Sequence, residues 1–130
     1  MVLLVDRVRL SYVVQGTFRR ITQAGRTIDV IIGSAPERSL MACDFDGTLA
    51  EIVPDPSDAR LFPGARAPLA RLARRLGTLA IISGRDVRTL MQLADLRSWG
   101  AGSNLVVLGQ YGVERWDARD DRIQIPDAPP

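Results

Sequence analysis

Three short apolar runs constrain the fold of this chain more than any other feature. They are Leu40–Cys43, Thr78–Ile82 and Leu105–Leu108. Such continuous runs are typical of parallel strands that are buried on both faces. Between the first two runs, apolar residues recur at helical spacing from Ala65 to Leu76, with arginines on the opposite side. A strand, a helix and a second strand form a right-handed crossover, so the sequence predicts an α/β fold, a parallel sheet with flanking helices.

Shorter patterns predict the remaining elements. A second helix is expected from Val87 to Leu96. Glu51–Phe62, which contains two prolines and several acidic residues, is expected to be a loop, either one that shapes the mouth of a site or a plain solvent loop. Ser98–Ser103 is expected to be a second loop. Val113–Trp116 and Ile123–Ile125 are expected to pair as a hairpin.

Two carboxylates follow the first apolar run directly, in the segment Asp44–Ala50 (DFDGTLA). Ligands of open α/β sheets bind beyond the carboxyl ends of the strands, so Asp44 and Asp46 are predicted to reach a ligand. Such a pair suits covalent phosphoryl transfer, in which one carboxylate attacks phosphorus and the other donates and accepts protons. The alternative is an acidic turn without chemistry. An EF-hand loop is excluded, because Leu49 stands where that loop needs glycine.

The second apolar run ends at Ser83, which the crossover is expected to bring close to Asp44. Its hydroxyl suits the binding of a phosphate oxygen, and a helix N-terminus also favours anions. The same stretch, Ser83–Asp86, matches a capping box, so Ser83 is also a candidate N-cap of the following helix. The two roles are compatible. Arg85 is a candidate substrate contact.

These segments resemble a known family. Asp44–Leu49 resembles motif I of the haloacid dehalogenase superfamily of phosphatases, and Ile81–Arg85 resembles its motif II. Asp44–Asp58, Leu79–Arg85 and Gly109–Trp116 together are similar to trehalose-6-phosphate phosphatases. The similarity covers roughly residues 39–126. It implies a partial Rossmann-like haloacid dehalogenase core over residues 39–130, and residues 1–38 are then an N-terminal extension of unassigned structure.

The resemblance implies a reaction and assigns roles in it. The reaction is the hydrolysis of trehalose 6-phosphate, a phosphorylated disaccharide, to trehalose and phosphate, with Mg²⁺ as cofactor. Asp44 would be the nucleophile and Asp46 the general acid and base, and Mg²⁺ would bind Asp44 and, through its backbone carbonyl, Asp46. The phosphate would be bound by Thr48, Ser83, Gly84 and Arg85. Related phosphatases carry a Gly-x-x-Gly turn near the substrate, often with His where this chain has Tyr111.

The resemblance also implies parts that these 130 residues lack. A catalytic lysine is expected, but all seventeen basic residues are arginine. A further acidic motif and a sugar-selecting cap domain are expected as well. We therefore expect the front half of a phosphatase core, without its C-terminal half and cap and inactive by itself. Leu40–Cys43 would then have a bare edge, which residues 27–32 are predicted to cover.

Two other functions remain open from the sequence. One is a non-catalytic domain that binds a sugar phosphate or a partner, and the other is a related sugar-phosphate phosphatase. The net charge of +2 does not favour nucleic acid, and no apolar stretch has the length of a membrane span. The single cysteine, Cys43, fits a reducing compartment and a core position, and no secretory signal is recognised, so a cytoplasmic protein is expected. Trp99 is expected to be a packing residue, and the oligomeric state is left open.

Overall fold

The computed structural model describes residues 2–6, 9–13 and 36–127, with side chains for residues 36–127. The described residues form one sheet of seven strands. In chain order these are β1 (Val2–Asp6), β2 (Arg9–Val13), β3 (Ser39–Asp44), β4 (Thr78–Ile82), β5 (Leu105–Gly109), β6 (Glu114–Asp117) and β7 (Arg122–Gln124). Their order across the sheet is β2-β1-β3-β4-β5-β6-β7. The central strands β3, β4 and β5 are parallel, which confirms the predicted α/β core, and the strands on either side are antiparallel.

Three helices connect the parallel strands: α1 (Arg66–Arg75), α2 (Val87–Leu93) and α3 (Leu96–Gly100). The first helix was predicted correctly. The second was predicted to continue to Leu96, but it ends at Leu93 because Asp95 has a left-handed backbone, with φ of 47°. The loop predicted over Ser98–Ser103 is wrong in its first part, since α3 continues to Gly100.

Burial of Trp99 accounts for that short helix. The side chain of Trp99 is buried, as expected of a packing residue, and its indole N–H donates to the carbonyl of Ala94 at 3.0 Å. A buried indole needs such a partner, because an unpaired N–H would lose its hydrogen bond with water. The five residues of α3 are therefore held by packing rather than by their own length.

The core lies on the face of the sheet that packs against the helices. Its members include Cys43 of β3, Leu79 and Ile81 of β4, Leu105 and Val107 of β5, Leu69 and Ala73 of α1, Leu90 of α2 and Trp116 of β6. Phe45, between the two carboxylates, belongs to the same core and is fully buried. An anchored aromatic residue at this point fixes the loop in which Asp44 and Asp46 lie.

The outer edge of β3 is not bare. Antiparallel pairing with β1 covers it, from Val2 beside Cys43 to Asp6 beside Ser39. The position proposed for residues 27–32 is therefore held by Val2–Asp6, and residues 27–32 themselves lie outside the described residues. On its other side β1 pairs antiparallel with β2, from Val2 beside Val13 to Asp6 beside Arg9.

The other end of the sheet is the predicted hairpin. Strands β6 and β7 pair antiparallel, with Trp116 beside Ile123. Trp116 is fully buried, and its indole N–H donates to the carboxylate of Asp121 in the connecting turn at 2.8 Å. Among the described residues, none of the helices has the length and apolar character needed to cross a membrane.

Candidate functional site

The loop after β3 presents the first carboxylate to solvent. Asp44 is the last residue of β3 and is exposed, whereas Phe45 beside it is fully buried. One oxygen of Asp44, Oδ1, accepts the N–H of Phe45 at 2.9 Å. The carbonyl of Phe45 in turn accepts the N–H groups of Leu49 and Ala50 at 2.9 and 3.0 Å. The loop is therefore closed on itself, and Asp44 has a defined position at the carboxyl end of a central strand.

Ser83 lies beside Asp44, as predicted. Parallel pairing places Asp44 level with Ile82, and Ser83 follows at the end of β4. Asp44 and Ser83 both line a pocket of about 210 Å³, together with Gly84, Tyr111 and the apolar residues Ala42, Cys43 and Ile82. Ser83 is buried, and its Oγ accepts the N–H of Arg85 at 3.1 Å. A carboxylate and a hydroxyl from two strands thus share one small pocket.

The N-cap of α2 is Asp86, so the prediction that Ser83 caps this helix is wrong. Oδ1 of Asp86 accepts the N–H of Thr89 at 2.9 Å, and Oδ2 accepts the Thr89 hydroxyl at 2.6 Å. These two hydrogen bonds, that to the hydroxyl first, lower the pKa of Asp86 below its usual value. The ionised carboxylate of Asp86 is a stronger hydrogen-bond acceptor than the hydroxyl of Ser83, and it lies closer to the helix. Because Asp86 caps the helix, Ser83 is available for a ligand.

Arg85 and Asp46 form a bidentate ion pair across 39 residues of sequence. Nε of Arg85 donates to Oδ2 of Asp46 at 2.8 Å, and Nη2 donates to Oδ1 at 2.7 Å. The hydrogen bond to Asp46 is the main reason that the pKa of the guanidinium is raised. Both oxygens of Asp46 are thereby occupied, and paired N–H···O bonds of this kind fix orientation as well as adding energy.

The same guanidinium reaches the predicted loop. Nη1 of Arg85 donates to the carbonyl of Pro56 at 2.7 Å, and its central carbon lies 5.9 Å from the centroid of the Phe45 ring. Pro56 belongs to Glu51–Phe62, which contains one 3₁₀ turn, Pro56–Asp58, and an isolated bridge from Leu61 to Ala50, and is otherwise loop. Arg85 therefore joins this loop to the carboxylate segment, and the role of the loop in shaping the mouth of the site stays a prediction.

The remaining predicted residues lie at the same end of the sheet. Gly84 is exposed and faces the ring of Tyr111, where a Cβ at residue 84 would come within 2.7 Å of two ring-end atoms. Gly84 and Arg85 line a second pocket of about 600 Å³ with Asp86, Thr89, Gln110 and Tyr111. Thr48 lies in the turn after β3 and is half-buried, but it lines neither of these two pockets.

One buried carboxylate at this end was not foreseen from the sequence. Glu114, the first residue of β6, accepts the N–H of Val87 through Oε2 at 2.8 Å and the side-chain N–H of Gln110 through Oε1 at 2.9 Å. It thus ties the hairpin to the first residue of α2. The signal in the sequence was an acidic residue two positions before Trp116 on the inward side of a strand.

Cys43 plays the part that was predicted for it. The thiol is buried in the core, and burial raises its pKa to about 11. It therefore stays protonated at neutral pH, and a thiol in that form is a poor nucleophile.

The acidic residues of the site are few. Within residues 36–127, the structure shows no group of three or more His, Cys, Asp or Glu side chains that could hold a metal ion. Asp44 offers one carboxylate to a ligand or metal ion, while both side-chain oxygens of Asp46 are hydrogen-bonded to Arg85.

Comparisons with known proteins agree with this geometry. A sequence model of the family described as trehalose-phosphatase matches residues 42–117, more than half of the chain. A trehalose-phosphate phosphatase of Mycobacterium tuberculosis is 48% identical over 62 residues, which are 47% of this chain and 16% of that protein. One of Mycolicibacterium paratuberculosis is 44% identical over 73 residues, 55% of this chain and 18% of that protein.

A solved structure gives the same result for the fold. The trehalose-6-phosphate phosphatase of Aspergillus fumigatus matches with a TM-score of 0.52 and 29% identity. The match covers 65% of this chain and 29% of the fungal one. The similarity to all three relatives therefore spans well under half of their length.

Proposed function

The chain belongs to the trehalose-phosphatase family, and we propose that it forms the phosphate-binding part of an enzyme that hydrolyses trehalose 6-phosphate to trehalose and phosphate. The observation that carries the proposal is the shared pocket of Asp44 and Ser83 at the ends of two adjacent parallel strands. Its volume of about 210 Å³ lies below the range of about 300–1,000 Å³ for pockets that enclose a whole small-molecule ligand, so it suits a small group such as a phosphate.

Asp44 is the nucleophile in this proposal. Its Oδ1 is held by the N–H of Phe45, which directs the carboxylate and leaves Oδ2 to attack phosphorus. The attack forms an aspartyl-phosphate and breaks the bond between phosphorus and the sugar oxygen. Water then attacks the aspartyl-phosphate, which releases phosphate and restores the carboxylate.

Asp46 is the proton donor and acceptor. The leaving sugar oxygen takes a proton from Asp46, and the attacking water later returns one to it. In the structure both oxygens of Asp46 accept N–H groups from Arg85, which suits the ionised carboxylate that receives a proton from water. To carry that proton, Asp46 must give up one of the two hydrogen bonds. Arg85 therefore positions Asp46 for the second step and moves relative to it in the first.

The phosphoryl oxygens have donors from two segments. The Oγ of Ser83 accepts the N–H of Arg85, so its own O–H can be donated to the phosphate. Of the five N–H groups of a guanidinium, Arg85 donates three to Asp46 and Pro56, and two remain for a phosphate oxygen. Thr48 and the backbone N–H of Gly84 complete the proposed set.

The residues present fit a sparse Mg²⁺ site. Mg²⁺ accepts one or two protein carboxylates and completes its shell with water and substrate phosphate. The carboxylate of Asp44 and the backbone carbonyl of Asp46 would hold the ion, because Arg85 occupies the Asp46 side chain. When bound, the ion offsets the repulsion between the anionic carboxylate and the anionic phosphate.

A second candidate function has its own support. A domain that binds a sugar phosphate without hydrolysing it is favoured by the ion pair of Arg85 with Asp46, which occupies both oxygens of the proposed proton donor. We expect negligible turnover of trehalose 6-phosphate by the purified 130-residue chain with Mg²⁺. Turnover that disappears in Asp44→Asn would establish the enzyme instead.

Both candidates require phosphate binding at Ser83, and a matched pair of variants tests it. Ser83→Ala is expected to weaken the binding of trehalose 6-phosphate roughly tenfold, the effect of losing a hydrogen bond to a charged group. Ser103→Ala is the control, because Ser103 is equally buried and bonds the carbonyl of Gly100 away from the site. The measurement is the Kd by calorimetric titration. Equal affinities for the two variants would contradict the proposal.

A further inference from the structure

Tyr111 is the most exposed large apolar or aromatic side chain of residues 36–127, although its surroundings hold it in place. Its relative exposure is 87%. Exposure of a single aromatic ring is usually incidental. Here, however, the ring rests against Gly84, at a distance where any Cβ on residue 84 would collide with it. The ring is thus supported from below by backbone and open to solvent above.

The backbone beneath the ring adopts a conformation that non-glycine residues rarely take. Gln110 and Tyr111 have φ of 47° and 56°, two successive residues in the left-handed region. Such conformations persist only where neighbouring groups enforce them, and they concentrate at binding sites. Burial in the core does not offset this strain, because the side chains of Gln110 and Tyr111 both lie at the surface.

Three hydrogen bonds enforce the turn, and all come from the proposed phosphate site or its support. The N–H of Tyr111 donates to the carbonyl of Ser83 at 3.0 Å, and the N–H of Gln110 donates to the carbonyl of Arg85 at 2.8 Å. The side chain of Gln110 donates to the buried Glu114 at 2.9 Å. The position of the ring is therefore tied to the same backbone that positions Ser83 and Arg85.

The side chain of Tyr111 borders two pockets. One is the pocket of about 210 Å³ that Asp44 and Ser83 line, and the other is the open pocket of about 600 Å³. Tyr111 and Gly84 line both. The larger pocket has the volume of a small-molecule site, and its other walls are the polar residues Arg85, Asp86, Thr89 and Gln110.

We propose that Tyr111 is a specificity-determining residue, on whose ring the sugar attached to the phosphate packs as it extends from the small pocket into the large one. This inference rests on the proposed function, because it takes the phosphate to lie beside Asp44 and Ser83. An aromatic face packs well against the C–H groups of a pyranose ring, while side chains with donors and acceptors around it suit sugar hydroxyls. The ligand is therefore a hydroxyl-rich phosphate ester rather than inorganic phosphate alone.

The test compares ligands as well as variants. Kd values for trehalose 6-phosphate and for inorganic phosphate are measured by NMR titration of the 130-residue chain with Mg²⁺. Tyr111→Asn removes the ring but keeps a residue that tolerates left-handed φ, and Tyr111→Phe keeps the ring. Val113→Asn is the control, since Val113 is also exposed, at 57%, but lines neither pocket.

If the sugar packs on Tyr111, the unaltered chain should bind the sugar phosphate roughly three- to tenfold more tightly than inorganic phosphate. Tyr111→Asn should abolish that preference without changing the affinity for inorganic phosphate, whereas Tyr111→Phe and Val113→Asn should retain it. A preference that survives in Tyr111→Asn would overturn the role of the ring and leave the proposed function standing. Equal weakening of both ligands would also overturn it, since the ring would then act on the phosphate site. If neither ligand binds, the proposed function fails, and this inference fails with it.

Discussion

The two ends of the parallel sheet differ in whether they leave polar groups open to a ligand. At the amino ends of β3, β4 and β5, polar groups join elements to one another: Asn104 donates to the carbonyl of Leu76 at 2.8 Å, and Arg119 donates to Asn104 at 2.8 and 3.0 Å. At the carboxyl ends, Asp44 and Tyr111 project into solvent. At the amino ends these groups bond to other parts of the fold. The carboxyl ends have such bonds as well, from Arg85 and Glu114, but they also leave groups open to a ligand.

The largest effect on stability is expected from a substitution at the amino ends of the strands. The N–H of Gly77 donates to the carbonyl of Pro36, and a Cβ on Gly77 would lie 2.4 Å from the carbonyl oxygen of Glu37. Because backbone cannot move aside as a side chain can, Gly77→Ala is expected to lower the free energy of unfolding by about 2–3 kcal/mol. Urea denaturation measures this effect.

The control for that substitution is Gly100→Ala. A Cβ there would come within 2.6 Å of the end of the Leu105 side chain, and no backbone atom is among its three nearest contacts, so a smaller loss of stability is expected. The folded Gly77→Ala protein should bind trehalose 6-phosphate as tightly as the unaltered chain. A weakened affinity would show that the two ends of the sheet are coupled rather than independent.

A smaller effect is expected at the carboxyl end, where Asp86 caps α2. Asp86→Ala should lower the free energy of unfolding by about 1 kcal/mol at neutral pH, the usual effect of removing an N-cap. Asp127→Ala, which removes an exposed carboxylate, is the control and should have little effect.

The pH dependence of that difference follows from the lowered pKa of Asp86. A carboxylate whose folded pKa is depressed stabilises the protein above its unfolded pKa, here 3.8, and loses that contribution as the pH falls through the folded value. The difference in the free energy of unfolding between the unaltered chain and Asp86→Ala should therefore become smaller below about pH 4. Urea denaturation at several pH values measures this difference. A difference that grows as the pH falls would exclude the capping role of Asp86.

The sequence was sufficient for elements that are defined by long patterns. The apolar runs of β3, β4 and β5 are short and are followed by turn residues, which favours buried strands, and the periodicity of α1 favours an amphipathic helix. Their order then placed Asp44 beside Ser83, because a right-handed crossover brings the carboxyl ends of adjacent parallel strands together.

Other features could not be read from local patterns. Ser83 and Asp86 are both good N-caps by residue type, and only the path of the backbone decides between them. The ion pair of Arg85 with Asp46 joins residues 39 positions apart and depends on side-chain directions. The pairing of β1 with β3 was missed because residues 2–6 carry no turn signal that leads to that edge.

The central claim is that Asp44 lies against the bound phosphate, and Asp44→Asn tests it most directly. Without divalent metal, removing this negative charge should strengthen the binding of trehalose 6-phosphate roughly three- to fivefold, because a carboxylate repels a phosphate dianion at close range. The Kd of Asp44→Asn is compared with that of Asp127→Asn, which removes an equal charge elsewhere. Tighter binding in Asp44→Asn alone is the predicted result. Unchanged or weaker binding would contradict the account.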